Sequence, residues 1–154
     1  MKRTQLSKKD IKDINLKLCD SFGRCDFITK KDDVKLLEDG FKVVHVNSES
    51  LFFYYENKLV PTLKLILKNN FLKKIVIDMP AVKFIANGAD VMRPGIKDVD
   101  EGIVNGDIVV IVDENNKKPL AIGISTMSSQ ELKESTSGKV IKNLHHVGDK
   151  IWNI

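Results

Sequence analysis

Cysteine, arginine and long apolar runs are scarce in this chain. Its only cysteines are Cys19 and Cys25, and no second pair exists to complete a tetrahedral zinc site. Two reduced thiols are expected, with a local disulfide as the alternative, and no metal or other cofactor is expected. No segment approaches the roughly 18 consecutive apolar residues of a membrane span. The start, Met1-Lys2-Arg3-Thr4-Gln5, leads into a charged segment rather than a signal-peptide core. The expectation is a cytoplasmic protein with no membrane partner. Neither a Walker-type phosphate loop nor a G-x-S-x-G elbow occurs, which argues against catalysis. Of the 25 cations only Arg3, Arg24 and Arg93 are arginine. Lysine is a hydrated point charge, whereas paired hydrogen bonds to bases prefer the guanidinium fork. Contact with a nucleic acid would therefore depend mainly on backbone charge and shape.

What is present suffices for one ordinary domain or two small ones: 154 residues, 42% hydrophobic and 30% charged. The formal charge of +4 is unevenly spread. Residues 1 to 73 hold 15 basic and 10 acidic side chains, whereas residues 74 to 154 hold 10 and 11. A basic front half points toward a polyanionic partner, against the alternative of a solvated surface.

Ser7-x-x-Asp10 has the form of a capping box, and Ile11, Ile14 and Leu18 line one face of a helix expected over about 7 to 20. Three β-rich runs follow, Val34–Leu37, Phe41–Val46 and Ser50–Tyr55, separated by turn residues and expected as a three-stranded antiparallel meander. Pro61 fits the first turn of a helix containing Leu63, Ile66 and Leu67 and ending near Asn70. Beyond Lys74-Ile75-Val76-Ile77, Asp78-Met79-Pro80 starts a helix with the apolar face Ala81, Phe84 and Ile85, and Gly88 suits its C-terminus. Strands at 91–92, 108–112 and 120–124, the capping box Ser128-x-x-Glu131, and final strands at 140–141 and 150–152 suggest a closed or nearly closed small barrel. Trp152 reads as its core plug.

The order of motifs in this half, Ala81 through Gly88-Ala89-Asp90-Val91-Met92-Arg93-Pro94-Gly95-Ile96, then Gly106-Asp107, then Ala121-Ile122-Gly123, resembles the PUA domain. The tail Asn143-Leu144-His145-His146-Val147-Gly148-Asp149-Lys150-Ile151-Trp152 is similar to the end of the malignant T-cell-amplified sequence proteins and their archaeal relatives. The resemblance implies an α+β fold: a small pre-PUA domain with an antiparallel sheet over 1–73, then a β-barrel-like PUA domain with short helices over 74–154. It implies binding of structured RNA, tRNA or small-subunit rRNA, in translation initiation or recycling on the small ribosomal subunit, without catalysis. It places RNA on the segment Lys83 through Gly95, with Lys83, Gly88, Ala89, Asp90, Val91, Met92, Arg93, Pro94 and Gly95 as its contacts, together with the last strand.

Glycine at position 88 lets a phosphate or ribose approach the backbone, and Arg93 is the only arginine in this half. Lys83 and Lys97 are the expected flanking phosphate contacts. Plainer readings are a helix C-cap for Gly88 and a surface arginine beside a turn for Arg93. Asp90, Asp98, Asp100 and Glu101 would weaken phosphate binding if they faced the groove. His145 and His146 point to opposite faces of a strand and do not share a metal. His45 reads as a structural histidine, and Phe52 to Tyr55 as a strand with a covered face. The competing functions are a protein-interaction adaptor and a targeting subunit for an RNA-modifying enzyme.

Overall fold

In the computed structural model, which describes all 154 residues, Ser7 caps a helix, α1 (Lys8–Phe22). Its hydroxyl accepts from the Asp10 N–H at 3.2 Å while the Asp10 carboxylate accepts from the Ser7 N–H at 3.0 Å. Ile14 and Leu18 are its buried residues. The chain divides into two compact units, Met1–Leu65 and Ile66–Ile154.

The expected meander forms the centre of a five-stranded antiparallel sheet in the first unit. Its strands β1 (Lys2–Gln5), β2 (Val34–Glu38), β3 (Lys42–Val46), β4 (Glu49–Tyr55) and β5 (Lys58–Pro61) lie side by side in chain order. Pro61 corrects the helix expectation: it ends β5, on a sheet edge where a missing N–H costs little, and α2 (Leu63–Lys68) starts two residues later. Phe52 and Phe53 point to opposite faces of β4 and both are buried, so both faces are covered there. The Phe27 ring meets Phe52 edge-on, with centroids 5.3 Å apart. His45 is held by Ser50 Oγ at 2.7 Å.

The cysteines also differ from the expected free thiols. Gly23 turns the chain back at the end of α1, which brings Cys25 against Cys19, and the two form a disulfide. Closing so short a loop is worth about 2 kcal/mol. Urea unfolding followed by circular dichroism is therefore expected to show a lower midpoint with reductant than without. Coincident curves would assign the bridge no part in the stability of this unit.

The second unit contains β6 (Lys73–Ile77), α3 (Met79–Ala86), β7 (Val91–Met92), a 3-10 turn (Arg93–Gly95), β8 (Ile96–Val99), β9 (Ile108–Asp113), β10 (Pro119–Ser125), α4 (Ser129–Glu134) and β11 (Lys139–His146). Its sheet runs β7-β11-β10-β9-β6-β8, and β6 pairs with β9 in parallel while every other pair is antiparallel. The two edge strands, β7 and β8, are joined by only three residues. So short a link obliges the sheet to curl until its edges approach each other, which gives the nearly closed barrel. Ile75, Ile77, Val109, Ile111, Ala121 and Ile141 fill its core.

Three expectations fail here. Residues 150–152 form a turn and not a strand, because the Asp149 carboxylate accepts the N–H groups of His146 and Trp152, each at 2.9 Å. Trp152 is half-buried in that turn rather than plugging the barrel. On α3, Ile85 is buried but Phe84 points outward. No helix is long and apolar enough to cross a membrane.

Candidate functional site

The residues around α3 build a cleft of about 580 Å³. Asp78 caps the helix by accepting the Ala81 N–H at 3.0 Å. Ala81, Ile85 and Val91 line the cleft with apolar surface, as do Phe84, Met92 and Pro94, all three of them exposed. Phe84 is 58% exposed, and Met79 and Met92 are exposed as well. Lys83 Nζ sits 5.1 Å from the centre of the Phe84 ring, a cation–π contact at the rim.

β11 ties down the loop after α3. The Asn143 side-chain amide donates to the Ile85 and Ala89 carbonyls, each at 3.0 Å. The Asn143 backbone N–H donates to Asp90 Oδ1 at 2.7 Å, and Lys139 Nζ lies 3.0 Å from Asp90 Oδ2. Burial alone would push the Asp90 carboxyl up, but the Asn143 N–H and the Lys139 ammonium hold it below its ordinary value. Gly88 has φ +98°, and a Cβ there would stand 3.0 Å from His146 Nε2. Its role as a left-handed residue after a helix is thus joined to a second one, close approach by the His146 ring.

Of the residues expected in the site, Ala89, Asp90, Val91, Met92, Pro94 and Gly95 line the cleft. Lys83 reaches its rim through Phe84, and Gly88 lies against His146. Arg93 and Lys97 are not among the lining residues. The Arg93 guanidinium donates from Nε to the Leu132 carbonyl at 2.6 Å and from Nη1 to the Ile96 carbonyl at 3.3 Å, which anchors the 3-10 turn. Among the four acids flagged by the sequence only Asp90 lines the cleft. Asp98 and Asp100 accept backbone N–H groups of Val99 and Lys74, and Glu101 pairs with Lys133.

Sequence reasoning missed Asp78, Lys139, Asn143 and His146 as parts of this site, and Phe84, which lies inside the expected segment, was read there as part of the apolar face of α3. Lys139 arrives through the pairing of β11 with β7, which sets it opposite Met92. The cleft thus combines apolar walls with two carboxylates, Asp78 capping α3 and Asp90 paired with Lys139, and with the Lys83 ammonium beside Phe84.

Residues 73–147 match the PUA domain, and residues 2–69 match a domain of unknown function, DUF1947. The chain is 50% identical to an uncharacterised protein of Methanocaldococcus jannaschii over 99% of this chain and 96% of that one. It is 36% identical to Translation machinery-associated protein 20 of Saccharomyces cerevisiae, covering 83% of this chain and 76% of the relative. With Malignant T-cell-amplified sequence 1 of Danio rerio the identity is 31%, over 97% and 90%. A crystal structure of a hypothetical protein from Pyrococcus horikoshii superposes with a TM-score of 0.85 at 38% identity, over 99% of this chain and 98% of that one. An H/ACA ribonucleoprotein bound to a substrate RNA contains a chain that matches with a TM-score of 0.51 at 29% identity, over 64% of this chain and 31% of that one.

Proposed function

Because the chain belongs to the family that joins a DUF1947 region to a C-terminal PUA domain and includes Translation machinery-associated protein 20 and Malignant T-cell-amplified sequence 1, we propose that it is a non-enzymatic RNA-binding protein of the translation machinery. Its partner in this reading is tRNA or small-subunit rRNA, its role lies in initiation or recycling in the cytoplasm, and its domains divide at residues 73 and 74. The observation that carries the reading is the cleft beside α3, where exposed Phe84 and Met92 stand on the wall of an apolar cleft of about 580 Å³. An unpaired base stacks on such a surface, while Lys83 meets a flanking phosphate and Lys139, paired with Asp90, offsets the carboxylate that would otherwise repel one. Asp90 and the backbone from Gly88 to Gly95 shape the slot. Arg93 fixes the turn carrying Met92 and Pro94, and its remaining N–H groups together with Lys97 take further phosphate oxygens.

Fluorescence anisotropy against intact tRNA, the same tRNA without its 3′ single-stranded end, and a random duplex, each at two salt concentrations, tests this. Intact tRNA is expected to bind tightest, with affinity falling as salt rises. Phe84→Ala is expected to cost about 1 to 3 kcal/mol of that affinity, the usual worth of one stacked base. A folded Phe84→Ala protein that binds as tightly as wild type would remove the cleft from the RNA site. The adaptor reading has its own support, the exposed apolar trio Met79, Phe84 and Met92. Binding of a protein there would respond little to salt.

A further inference from the structure

A second groove, of about 730 Å³, lies wholly within the first unit, between α1 and the segment 25–30. Two rows of α1 residues at four-residue spacing form one side. Ile11, Asn15 and Cys19 make the inner row, and Lys8, Lys12 and Leu16 the outer one. The opposite wall is fixed in two places. Asn15 exchanges hydrogen bonds with the Ile28 backbone, its amide donating to the carbonyl at 2.8 Å and its oxygen accepting from the N–H at 3.0 Å. Cys19 and Cys25 are bridged at the other end. A groove held this way is preformed, so an occupant need not order it.

Its surface is apolar, with Leu16 left 58% exposed on a helix whose own core residues are Ile14 and Leu18. Three ammonium groups, Lys8, Lys12 and Lys30, stand on its lining against one carboxylate, Asp26. No aromatic side chain and no arginine lines it, so it offers neither a stacking platform nor a guanidinium fork for a nucleic acid. Residues 8 to 19 span about 17 Å of helix, the length of roughly three helical turns. We infer that the α1 groove is a docking site for an amphipathic helix of a partner protein, with apolar side chains at i, i+3, i+4 and i+7 facing Ile11 and Leu16 and acidic side chains meeting Lys8, Lys12 and Lys30. This surface is separate from the cleft beside α3 and does not depend on the RNA reading.

The test is selection of random 16-residue peptides displayed on phage against the full chain, with parallel selection against Leu16→Asp. Position 16 is exposed, so the variant is expected to keep the wild-type circular dichroism and melting curve. Peptides specific to wild type are expected to carry apolar residues at helical spacing and an excess of Asp and Glu. A synthetic copy of one should perturb amide resonances of residues 8–30 and bind Leu16→Asp at least about tenfold more weakly. Lys12→Glu is a second variant, expected to weaken the same peptide severalfold and more so at low salt. Wild-type and Leu16→Asp selections that yield the same sequences would overturn the proposal. So would peptides that are basic or of strand period, or a single-stranded oligouridylate that perturbs these resonances where the peptides do not.

Discussion

Gly123→Ala is expected to destabilise the second unit by about 3 kcal/mol or more, the upper end of what an over-packed core position costs. An added Cβ would stand 2.7 Å from Ile141 Cγ2 and 2.8 Å from the Lys142 carbonyl oxygen. Gly123 sits in the middle of β10 at the register shift against β11, where the two strands approach too closely for a side chain. A second substitution trims the Ile141 methyl, but the Lys142 oxygen is backbone, so Ile141→Ala should not rescue the variant. The effect should also reach the cleft. Asn143, opposite Gly123 in the ladder, holds the loop from Ile85 to Asp90. Guanidinium unfolding at neutral pH measures the loss directly. A change within about half a kcal/mol, the usual range for a harmless substitution, would mean that the strands part without cost.

Features decided within a few residues were legible in the sequence. Both capping boxes, Ser7 with Asp10 and Ser128 with Glu131, form as their spacing implies. The strands β2 to β4 were readable for the same reason, as short runs of β-branched and aromatic residues between turn residues, although neighbours such as Val43 and Val44 are buried on both faces. β1 was not, because all four of its residues are exposed and an edge strand without a buried side leaves no period to read. Phe84 shows the limit of helical spacing. The stripe Ala81, Phe84 and Ile85 is one residue wider than the face α3 buries, and spacing alone does not say which margin is left outside.

The candidate site divides along the same line. Ala89 to Gly95 form a continuous segment whose motif marks it, whereas Lys139, Asn143 and His146 enter about fifty residues later through β11. Strand register places them, and register between distant segments is not written in either segment alone. Arg93 was legible as a special residue, and the structure gives part of its guanidinium a specific task, holding the 3-10 turn to Leu132 and Ile96.

Asp149 is the other position where a single substitution should be felt throughout the second unit. Asp149→Ala is expected to cost about 3 kcal/mol, because its carboxylate satisfies three groups that have been taken out of water or fixed in a turn. Both oxygens lie 2.9 Å from Nδ1 of His145, a side chain only 1% exposed, and they also accept the N–H groups of His146 and Trp152. Burial by itself would push the Asp149 carboxyl up. The His145 hydrogen bond and the Trp152 and His146 N–H groups outweigh it and hold the group below its ordinary value. A carboxyl depressed on folding adds stability that is complete above its unfolded value, near 4, and is lost as pH falls through its lower folded value. Wild-type stability should therefore decline on acidification below about pH 4, and the decline should be shallower in Asp149→Ala, which has already lost this contribution. Asp149→Asn separates charge from shape, since an amide of equal size retains an acceptor oxygen and should recover part of the neutral-pH loss without restoring the acid slope. The same substitution reaches the candidate site, because Asp149 fixes the His146 backbone and the His146 ring is packed against Gly88. Urea midpoints from pH 3 to pH 7 for the three proteins decide the matter. Parallel curves would show that Asp149 is protonated alike in the folded and unfolded chains, and would remove it as the acid-sensitive contact of this unit.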